Sequence, residues 1–143
     1  MIRVQGLHKR FGLQEVLRGV DLDIATGEIM IVIGRSGGGK SVLLKHLIGL
    51  LRPDAGAVLV DGTDITRLRG RALDRVRERY GVVFQGGALF DSMSVFENVA
   101  FPLREKSRRS DAEIRGRVEE KLEQVGLSGM GAKIGRASCR ERV

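Results

Sequence analysis

The chain has 143 residues, 42% of them hydrophobic, and a net charge of +7 from 25 Lys and Arg against 18 Asp and Glu. This length is enough for one small domain. No apolar run approaches ~20 residues and the N-terminus lacks a hydrophobic signal region, so we expect no membrane-crossing segment and no export. The sole cysteine, Cys139, and the widely separated His8 and His46 argue against a disulfide or a Cys/His metal site, which fits a reducing, cytoplasmic setting.

Arginines are crowded in two places, which is one signature of nucleic-acid binding. Acidic residues are interleaved with them, and no aromatic residues stand ready to stack on bases. We therefore favour a solvated or partner-facing surface and expect no nucleic-acid partner. The arginines are Arg67, Arg69, Arg71, Arg75, Arg77 and Arg79, then Arg104, Arg108 and Arg109, and the acidic residues are Asp64, Asp74, Glu78, Glu105 and Asp111.

Strand patterns come first along the chain. Residues 2–7 and 20–24 show the alternation of half-buried strands, with turn signals at Gly12, Gly19 and Thr26-Gly27. Residues 28–33, EIMIVI, form a continuous apolar run typical of a buried parallel strand. The residues from 42 to 51 are so apolar that the helix predicted there should be buried on most sides.

Between that strand and that helix lies GRSGGGKS, residues 34–41, which fits the phosphate-binding pattern G-x-x-x-x-G-K-[ST]. Gly37, Gly38 and Gly39 lack a Cβ and can take positive φ, so successive backbone N–H groups can turn toward phosphate oxygens. The helix N-terminus adds unpaired donors and its dipole. Lys40 would place its charge on the β and γ phosphates, and the Ser41 hydroxyl would be one ligand of a Mg²⁺ ion bridging them.

The sequence therefore predicts a P-loop that binds a nucleoside triphosphate with Mg²⁺. The alternative is a flexible glycine-rich loop between two core elements, which the strand and helix flanks disfavour. The predicted binding residues are Gly34, Arg35, Ser36, Gly37, Gly38, Gly39, Lys40, Ser41 and Val42.

After the P-loop, residues 52–56 predict a turn, residues 57–60 a strand, and Asp61-Gly62 a hairpin turn. Residues 71–79 suit a charged helix. Residues 80–84, YGVVF, predict a short strand that delivers Gln85 to a bend at Gly86-Gly87.

Two more helices are predicted in the last third of the chain. Residues 95–103 suit a short helix that stops near Pro102, with a charged link over residues 104–109. Ser110 to Glu113 form a capping box. The helix that it opens has Ile114, Val118, Leu122 and Val125 as one apolar stripe and Gly126 as its C-terminal cap.

Three segments in this order, HKRFGLQEVLRGVDLDIATGE, GRSGGGKS and VFQGGALFDSMSVFENVAFPLRE, resemble the nucleotide-binding subunit of ATP-binding cassette (ABC) transporters. The resemblance covers residues 2–133. Residues 34–54 and the FQGGALF segment look most like the Mla and Mce type ATPases of bacterial lipid transport. The resemblance implies an α/β P-loop NTPase fold, of which this chain holds the N-terminal part: an antiparallel β subdomain, the P-loop strand and helix, and the start of the helical subdomain.

The resemblance also implies roles for two residues outside the P-loop. Phe11 matches the A-loop aromatic residue that stacks on adenine; the alternative is an aromatic residue of the core. Gln85 matches the Q-loop glutamine, which contacts Mg²⁺ and the attacking water and links the site to the membrane subunits; the alternative is a surface turn residue. With Lys40, Gln85 would be a catalytic residue. The order of Phe11 and Gln85 around the P-loop favours these functional roles.

By the same resemblance, two such subunits would form a homodimer that sandwiches two ATP molecules and couples their hydrolysis to transport. The homodimer would lie on the inner face of the cytoplasmic membrane through a transmembrane permease. Residues 94–126 begin the subdomain that receives the permease, and we expect the arginine-rich link to face it. The alternatives are a soluble ABC-type ATPase of translation or DNA repair and a non-functional gene fragment.

The 143 residues contain no LSGG signature, Walker B strand, catalytic Glu or switch His, on which hydrolysis in this family depends. We expect the chain as given to bind ATP without hydrolysing it at a useful rate. In the family the Walker B strand lies beside the P-loop strand, so we also expect open strand edges and a chain prone to aggregation.

Residues 134–143, IGRASCRERV, match the translation of a common sequencing-library adapter. We therefore interpret the chain as a partial nucleotide-binding domain over residues 1–133 followed by an artefactual tail. A natural truncation with a basic tail is the alternative. Removing the tail takes away three Arg, one Glu and the only cysteine, and lowers the net charge from +7 to +5.

Overall fold

A computed structural model describes residues 1–84, 87–106 and 109–134 of the chain. The chain divides into two compact units, Met1–Val82 and Val83–Val143. The described part of the first unit holds an antiparallel sheet and two helices, and that of the second holds a pair of helices. This is the predicted combination of an antiparallel β subdomain, a helix after the P-loop and the start of a helical subdomain.

The sheet of the first unit has four strands in the spatial order β2-β1-β3-β4. β1 pairs antiparallel with both β2 and β3, so it lies inside the sheet. The strands are β1 (Ile2–Phe11), β2 (Gln14–Ile24), β3 (Ala55–Val60) and β4 (Thr63–Asp64).

The first two strands are longer than the alternation predicted, and the turn between them contains Gly12, as expected. Gly19 lies inside β2 and not in a turn, next to a shift in the pairing register with β1. Glycine marks a β-bulge as readily as a turn, which explains this error. The Asp61-Gly62 hairpin turn is confirmed, with φ of 46° and 79° and β3 paired to β4 on either side.

Two helices supply apolar residues to the core of the first unit, α1 (Lys40–Leu47) and α2 (Gly70–Arg77). Burial of α1 on most sides was a wrong prediction, because Leu44 is about half exposed; Leu50, also predicted in this helix, is half exposed and lies beyond its end at Leu47. His46 is buried in α1, with Nδ1 2.7 Å from the carbonyl oxygen of Val42. The buried core consists of Val4, Leu7, Leu17, Leu43, Leu47, Val58, Val60, Ile65 and Leu73.

The two apolar runs predicted as strands at residues 28–33 and 80–84 are not strands here. Ile29, Ile31 and Ile33 are 88%, 76% and 86% exposed, and Val83 is 91% exposed. A buried parallel strand needs backbone hydrogen bonds to a neighbouring strand and cover on both faces. None of the four strands in the described part of the chain pairs with either run, so apolar composition alone does not bury them.

Arginines of the first crowded stretch are paired with the interleaved acids. The Arg67 guanidinium lies 3.0 Å from the carboxylate of Asp64, and Arg77 lies 3.2 Å from Asp74. Arg79 pairs with Asp61 in the β3–β4 turn. These ion pairs partly neutralise the positive charge of the stretch.

The second unit is built on two helices, α3 (Val95–Lys106) and α4 (Asp111–Gln124). Their buried contacts are Val95, Ala100, Ile114, Val118 and Leu122. The prediction that the first helix stops near Pro102 was wrong, because α3 continues through it; only the N–H that proline lacks is lost from the helix. Val125, predicted in the apolar stripe of α4, is exposed because the helix ends just before it.

Both helices begin with a capping box. The predicted one is confirmed at α4, where the Ser110 side chain accepts from the Glu113 N–H and the Glu113 side chain accepts from the Ser110 N–H. Ser94 and Glu97 make the same reciprocal pair at α3, which the sequence analysis missed although the spacing is identical.

The predicted glycine cap closes α4. Gly126 has φ of 70° and donates to Glu123, and Leu127 donates to Leu122, which is a Schellman arrangement. No helix in the ranges described is long and apolar enough to span a membrane.

Candidate nucleotide-binding site

The glycine loop closes over a short distance before α1. The Gly38 N–H donates to the carbonyl oxygen of Arg35 at 3.1 Å, and the Leu43 N–H donates to Gly39 at 2.8 Å as the helix begins. Arg35, Ser36, Gly37 and Gly38 are exposed. The loop is therefore folded back on itself and open to a ligand from outside.

Lys40 is held toward the inside of this loop. Its ammonium group donates to the carbonyl oxygens of Gly34 at 2.7 Å and Arg35 at 2.8 Å. The side chain thus bends back from the first turn of α1 to the start of the loop. A positive charge placed between these carbonyls and the helix N-terminus provides the chemistry that a polyphosphate requires.

Gly39 is the tightest point of the loop. It is buried, and its φ is +86°. A Cβ at this position would lie 3.1 Å from Val16 Cγ1 and 3.2 Å from Leu17 Cδ2. Both the backbone conformation and the close approach to β2 therefore require glycine. The sequence predicted that all three glycines of GGG can take positive φ; Gly37 also adopts it, with φ of +80°, whereas Gly38 does not.

The N-terminus of α1 suits an anion. The first N–H groups of a helix have no partner within it, and the first turn of α1 contains no acidic side chain. The partial positive charge of the helix end is therefore not offset locally. The N–H groups concerned belong to Lys40, Ser41 and Val42, three of the predicted binding residues.

Mg²⁺ fits this site only together with phosphate. Ser41 is exposed in the first turn of α1 and can offer one hydroxyl oxygen. Within the described ranges, no group of three or more His, Cys, Asp or Glu could hold a metal ion. A Mg²⁺ ion at Ser41 would therefore take most of its ligands from phosphate oxygens and water, which is its usual mode beside nucleotides.

Phe11 lies near the glycine loop in the fold, although the two are far apart in sequence. Phe11 ends β1 and is paired with Gln14 of β2. Gln14 lies two residues before Val16, which is close to Gly39 in space. Two residues along a strand span ~7 Å. Phe11 is 47% exposed, so it is not the core aromatic residue of the alternative interpretation.

Gln85 and Gly86 lie outside the described residues, so the predicted Q-loop role stays a prediction. Next to them, the Gly87 N–H donates to the Phe84 carbonyl oxygen at 2.9 Å.

Lys9, beside Phe11, and its partner Asp54 were not predicted as site residues from the sequence. The Lys9 ammonium lies 5.5 Å from the centre of the Phe11 ring and 2.8 Å from Asp54 Oδ1. The sequence predicted only that Asp54 lies in a turn. No local sequence pattern indicates that it bonds Lys9, more than forty positions earlier. The pairing of β1 with β3 brings them together.

A groove of about 1040 Å³ lies in the second unit. It is bordered by α3, α4 and the loop after α4, including Phe96, Arg115, Glu119 and Gly131. None of the predicted P-loop residues lines it, so its size does not make it the candidate site.

Comparison with known proteins agrees with this geometry. The family model described as ABC transporter matches residues 17–140. A probable ribonucleotide transport ATP-binding protein, mkl, of Mycobacterium leprae is 52% identical over 128 residues, covering 90% of this chain and 37% of the relative. The intermembrane phospholipid transport system ATP-binding protein MlaF of Haemophilus influenzae is 44% identical over 132 residues, covering 92% of this chain and 50% of the relative.

Solved structures agree as well. The ATP-binding cassette MJ0796, in a dimeric post-hydrolysis state bound to ADP and phosphate, is 30% identical with a TM-score of 0.82, covering 95% of this chain and 62% of that chain. The protein cbiO1 from Clostridium perfringens, part of the ABC transporter complex cbiONQ, has a TM-score of 0.78 at 30% identity, covering 93% of this chain and 53% of that chain. The chain thus spans between about a third and two thirds of the relatives named here.

Proposed function

The chain belongs to the ABC transporter family, and from this premise we propose that it binds ATP with Mg²⁺ as part of the nucleotide-binding subunit of a transporter. The observation that carries the proposal is Lys40, whose ammonium group lies inside a loop closed by glycines at the N-terminus of α1. In a flexible linker, no contacts would hold a lysine side chain in that position.

Each predicted residue has a part in this proposal. Gly34 to Gly39 and the N–H groups at the start of α1 surround the phosphates, and Lys40 moves from the carbonyl oxygens to the β and γ phosphates. Ser41 would hold the Mg²⁺ ion through its hydroxyl, and the ion would neutralise phosphate charge. Phe11 would stack on the adenine ring, and Gln85 would contact the Mg²⁺ ion and a water molecule.

Calorimetric titration of the chain with ATP tests this function. We expect saturable binding that is tighter with Mg²⁺ than with EDTA, and no measurable binding of adenosine, which lacks the phosphates. Equal affinities for ATP and adenosine would show that the loop does not bind phosphate and would refute the proposal.

The chain as given binds ATP without turnover. The sequence between Met1 and Val143 offers Lys40 and Gln85 but no Walker B carboxylates and no switch His, on which hydrolysis in this family also depends. The rate of phosphate release from ATP should not exceed the rate in buffer without the protein. Turnover at roughly one per second, an ordinary enzyme rate, would contradict this expectation.

The longer protein of which this chain represents a part couples ATP hydrolysis to transport, as a homodimer on a transmembrane permease at the inner face of the cytoplasmic membrane. Support comes from the family match and from the solved dimeric cassette. Purification of the full-length protein with its genomic neighbours, followed by identification of the bound membrane subunit, tests it. Recovery of ribosomes or DNA-repair proteins in place of a permease would favour the soluble alternative.

Lipid is the cargo that we propose. The resemblance of residues 34–54 to Mla and Mce type ATPases and the similarity to MlaF support it, while relatives named for ribonucleotide, sulfate and methionine transport represent the competing cargoes. Stimulation of the full transporter's ATPase by phospholipid, measured against methionine and sulfate, separates these. Stimulation by a small solute alone would overturn the lipid assignment.

Residues 134–143 are an artefact of sequence assembly, as we infer from their identity with a translated adapter. The family match reaches residue 140 and so includes part of this segment. Sequencing the source DNA across the codons for Lys133 and Ile134 decides the point. An open frame that continues into an LSGG signature supports the artefact, and a genomic IGRASCRERV followed by a stop refutes it.

A further inference from the structure

Lys9 and Phe11 lie on the same face of β1, because side chains two residues apart in a strand point the same way. The Lys9 ammonium is 5.5 Å from the centre of the Phe11 ring, within the range of a cation–π contact. Only 16% of the Lys9 side chain is exposed, which is unusual for lysine. The ring therefore contacts a held cation, while about half of the Phe11 side chain stays exposed.

Asp54 holds that cation and the strand around it. Its carboxylate accepts from the Lys9 ammonium at 2.8 Å and from the Arg10 N–H at 2.7 Å, and its own N–H donates to the His8 carbonyl oxygen at 3.0 Å. His8, Lys9 and Arg10, the three residues immediately before Phe11, thus each form a hydrogen bond with Asp54. The hydrogen bond from Lys9, followed by that from Arg10, holds the pKa of Asp54 below its ordinary value.

Phe11 itself has little else to fix it. It is the last residue of β1, about half exposed, and its strand partner is Gln14 across a two-residue turn. An exposed aromatic residue at a strand end binds a base more tightly when its ring is already in place, because ordering the ring on binding costs conformational entropy.

We propose that Asp54, acting through Lys9, is a positioning residue that holds the Phe11 ring for stacking on the nucleotide base. This inference rests on the proposed function of ATP binding. It differs from a purely structural role of Asp54, which would tie β1 to β3 with no preference for the base over the phosphates.

Two ligands separate these roles. ATP carries base and phosphates, and inorganic tripolyphosphate carries phosphates only. Affinities for both, with Mg²⁺, are measured by calorimetry for the unmodified chain and for Phe11→Leu, Asp54→Ala, Lys9→Met and Asp54→Ala/Phe11→Leu. Urea unfolding of each variant reports the state of the fold.

We expect Phe11→Leu to weaken ATP binding by about 5- to 100-fold, the range of one stacked base, with tripolyphosphate unchanged. Asp54→Ala and Lys9→Met should each weaken ATP binding by about 3- to 10-fold, again without effect on tripolyphosphate. The double variant should bind ATP no more weakly than Phe11→Leu, because Asp54 acts only through that ring.

Several results would overturn the inference. They are equal losses for ATP and tripolyphosphate in Asp54→Ala, unchanged ATP affinity in Lys9→Met, or additive losses in the double variant. Should Asp54→Ala fail to fold, Lys9→Met alone decides, because it leaves the backbone bonds of Asp54 intact. If the unmodified chain binds neither ligand, the proposed function itself fails; if only the Asp54 and Lys9 variants behave like the unmodified chain, the positioning role fails and ATP binding stands.

Discussion

The ammonium group of Lys40 donates a 2.7 Å hydrogen bond to the carbonyl oxygen of Gly34, six residues earlier at the other end of the glycine loop. The two residues close the loop around a positive charge. A ligand that carries several negative charges can replace the carbonyl oxygens as the partner of this ammonium, so the loop is prepared for phosphate before any ligand arrives.

Removal of the Lys40 charge should therefore weaken ATP binding with little effect on folding. We expect Lys40→Met to lower ATP affinity by about 10- to 100-fold, the value of one charge-assisted hydrogen bond. Lys45→Met is the matched control, because Lys45 lies exposed on the same helix. Similar losses in both variants, measured by titration calorimetry, would mean that overall charge and not the loop governs binding.

Gly39 provides a test of the loop backbone. Gly39→Ala places a Cβ against Val16 and Leu17 at a φ of +86°, so we expect a loss of about 1–3 kcal/mol in the free energy of unfolding. Gly116→Ala is the control: Gly116 is exposed inside α4 with nothing within 4 Å of a Cβ, and alanine should stabilise that helix by roughly 0.5–1 kcal/mol. Urea denaturation measures both, and a Gly39→Ala chain as stable as the original would contradict the strain.

The capping box of α4 predicts a dependence on pH. Hydrogen bonds from the Ser110 N–H and hydroxyl to the Glu113 carboxylate hold the pKa of Glu113 below its ordinary value. A carboxylate whose pKa is lower in the folded state stabilises that state above its unfolded pKa, and the contribution is lost as pH falls through the folded pKa. We therefore expect the helical signal of α4 to decline in acid, with the Glu113 midpoint below that of an unstructured glutamate.

Ser110→Ala tests the same box from the other side. Loss of the cap should lower the free energy of unfolding by about 1 kcal/mol. The Glu113 midpoint in a carbon-13 carboxyl titration should move upward toward its ordinary value. Glu113→Gln removes the titration altogether and serves as the control. An unchanged Glu113 midpoint in Ser110→Ala would show that the Ser110 hydroxyl does not contribute to the lowered pKa, since the backbone N–H bond remains.

The exposed run at residues 29–33 predicts how the chain behaves in solution. Ile31→Lys adds a charge to a side chain that is 76% exposed, so it should change stability by less than about 0.5 kcal/mol and reduce light scattering from aggregates. Val58→Lys is the contrast, since Val58 is fully buried in β3 and the charge should unfold the sheet. Loss of folding in Ile31→Lys would place the isoleucine in a core.

The parts of this fold that depend on neighbouring residues in sequence were predictable. Ser110 and Glu113 specify the start of α4, Asp61 and Gly62 specify a turn, and the glycine loop with Lys40 has the chemistry that its pattern predicts. The continuation of α3 through Pro102 was not predicted. The helix continues because the hydrogen bond lost at Pro102 costs less than the contacts of α3 with α4 contribute.

The parts that depend on distant partners were not predictable. The run at residues 28–33 has the composition of a buried strand, yet burial requires neighbours that composition cannot specify. Asp54 shows the same limit for the candidate site, because its bond to Lys9 exists only once β1 and β3 have paired.

That pairing also governs the order of folding events. β1 and β3 join residues as far apart as Ile2 and Val60, and the glycine loop with α1 lies inside the segment that this pairing closes. Closing a long segment costs chain entropy before its contacts compensate, so the sheet forms more slowly than the local β1–β2 hairpin. The phosphate-binding loop thus depends on a long-range strand pairing, and bound nucleotide should slow hydrogen exchange at amides of β1 and β3 that never touch it.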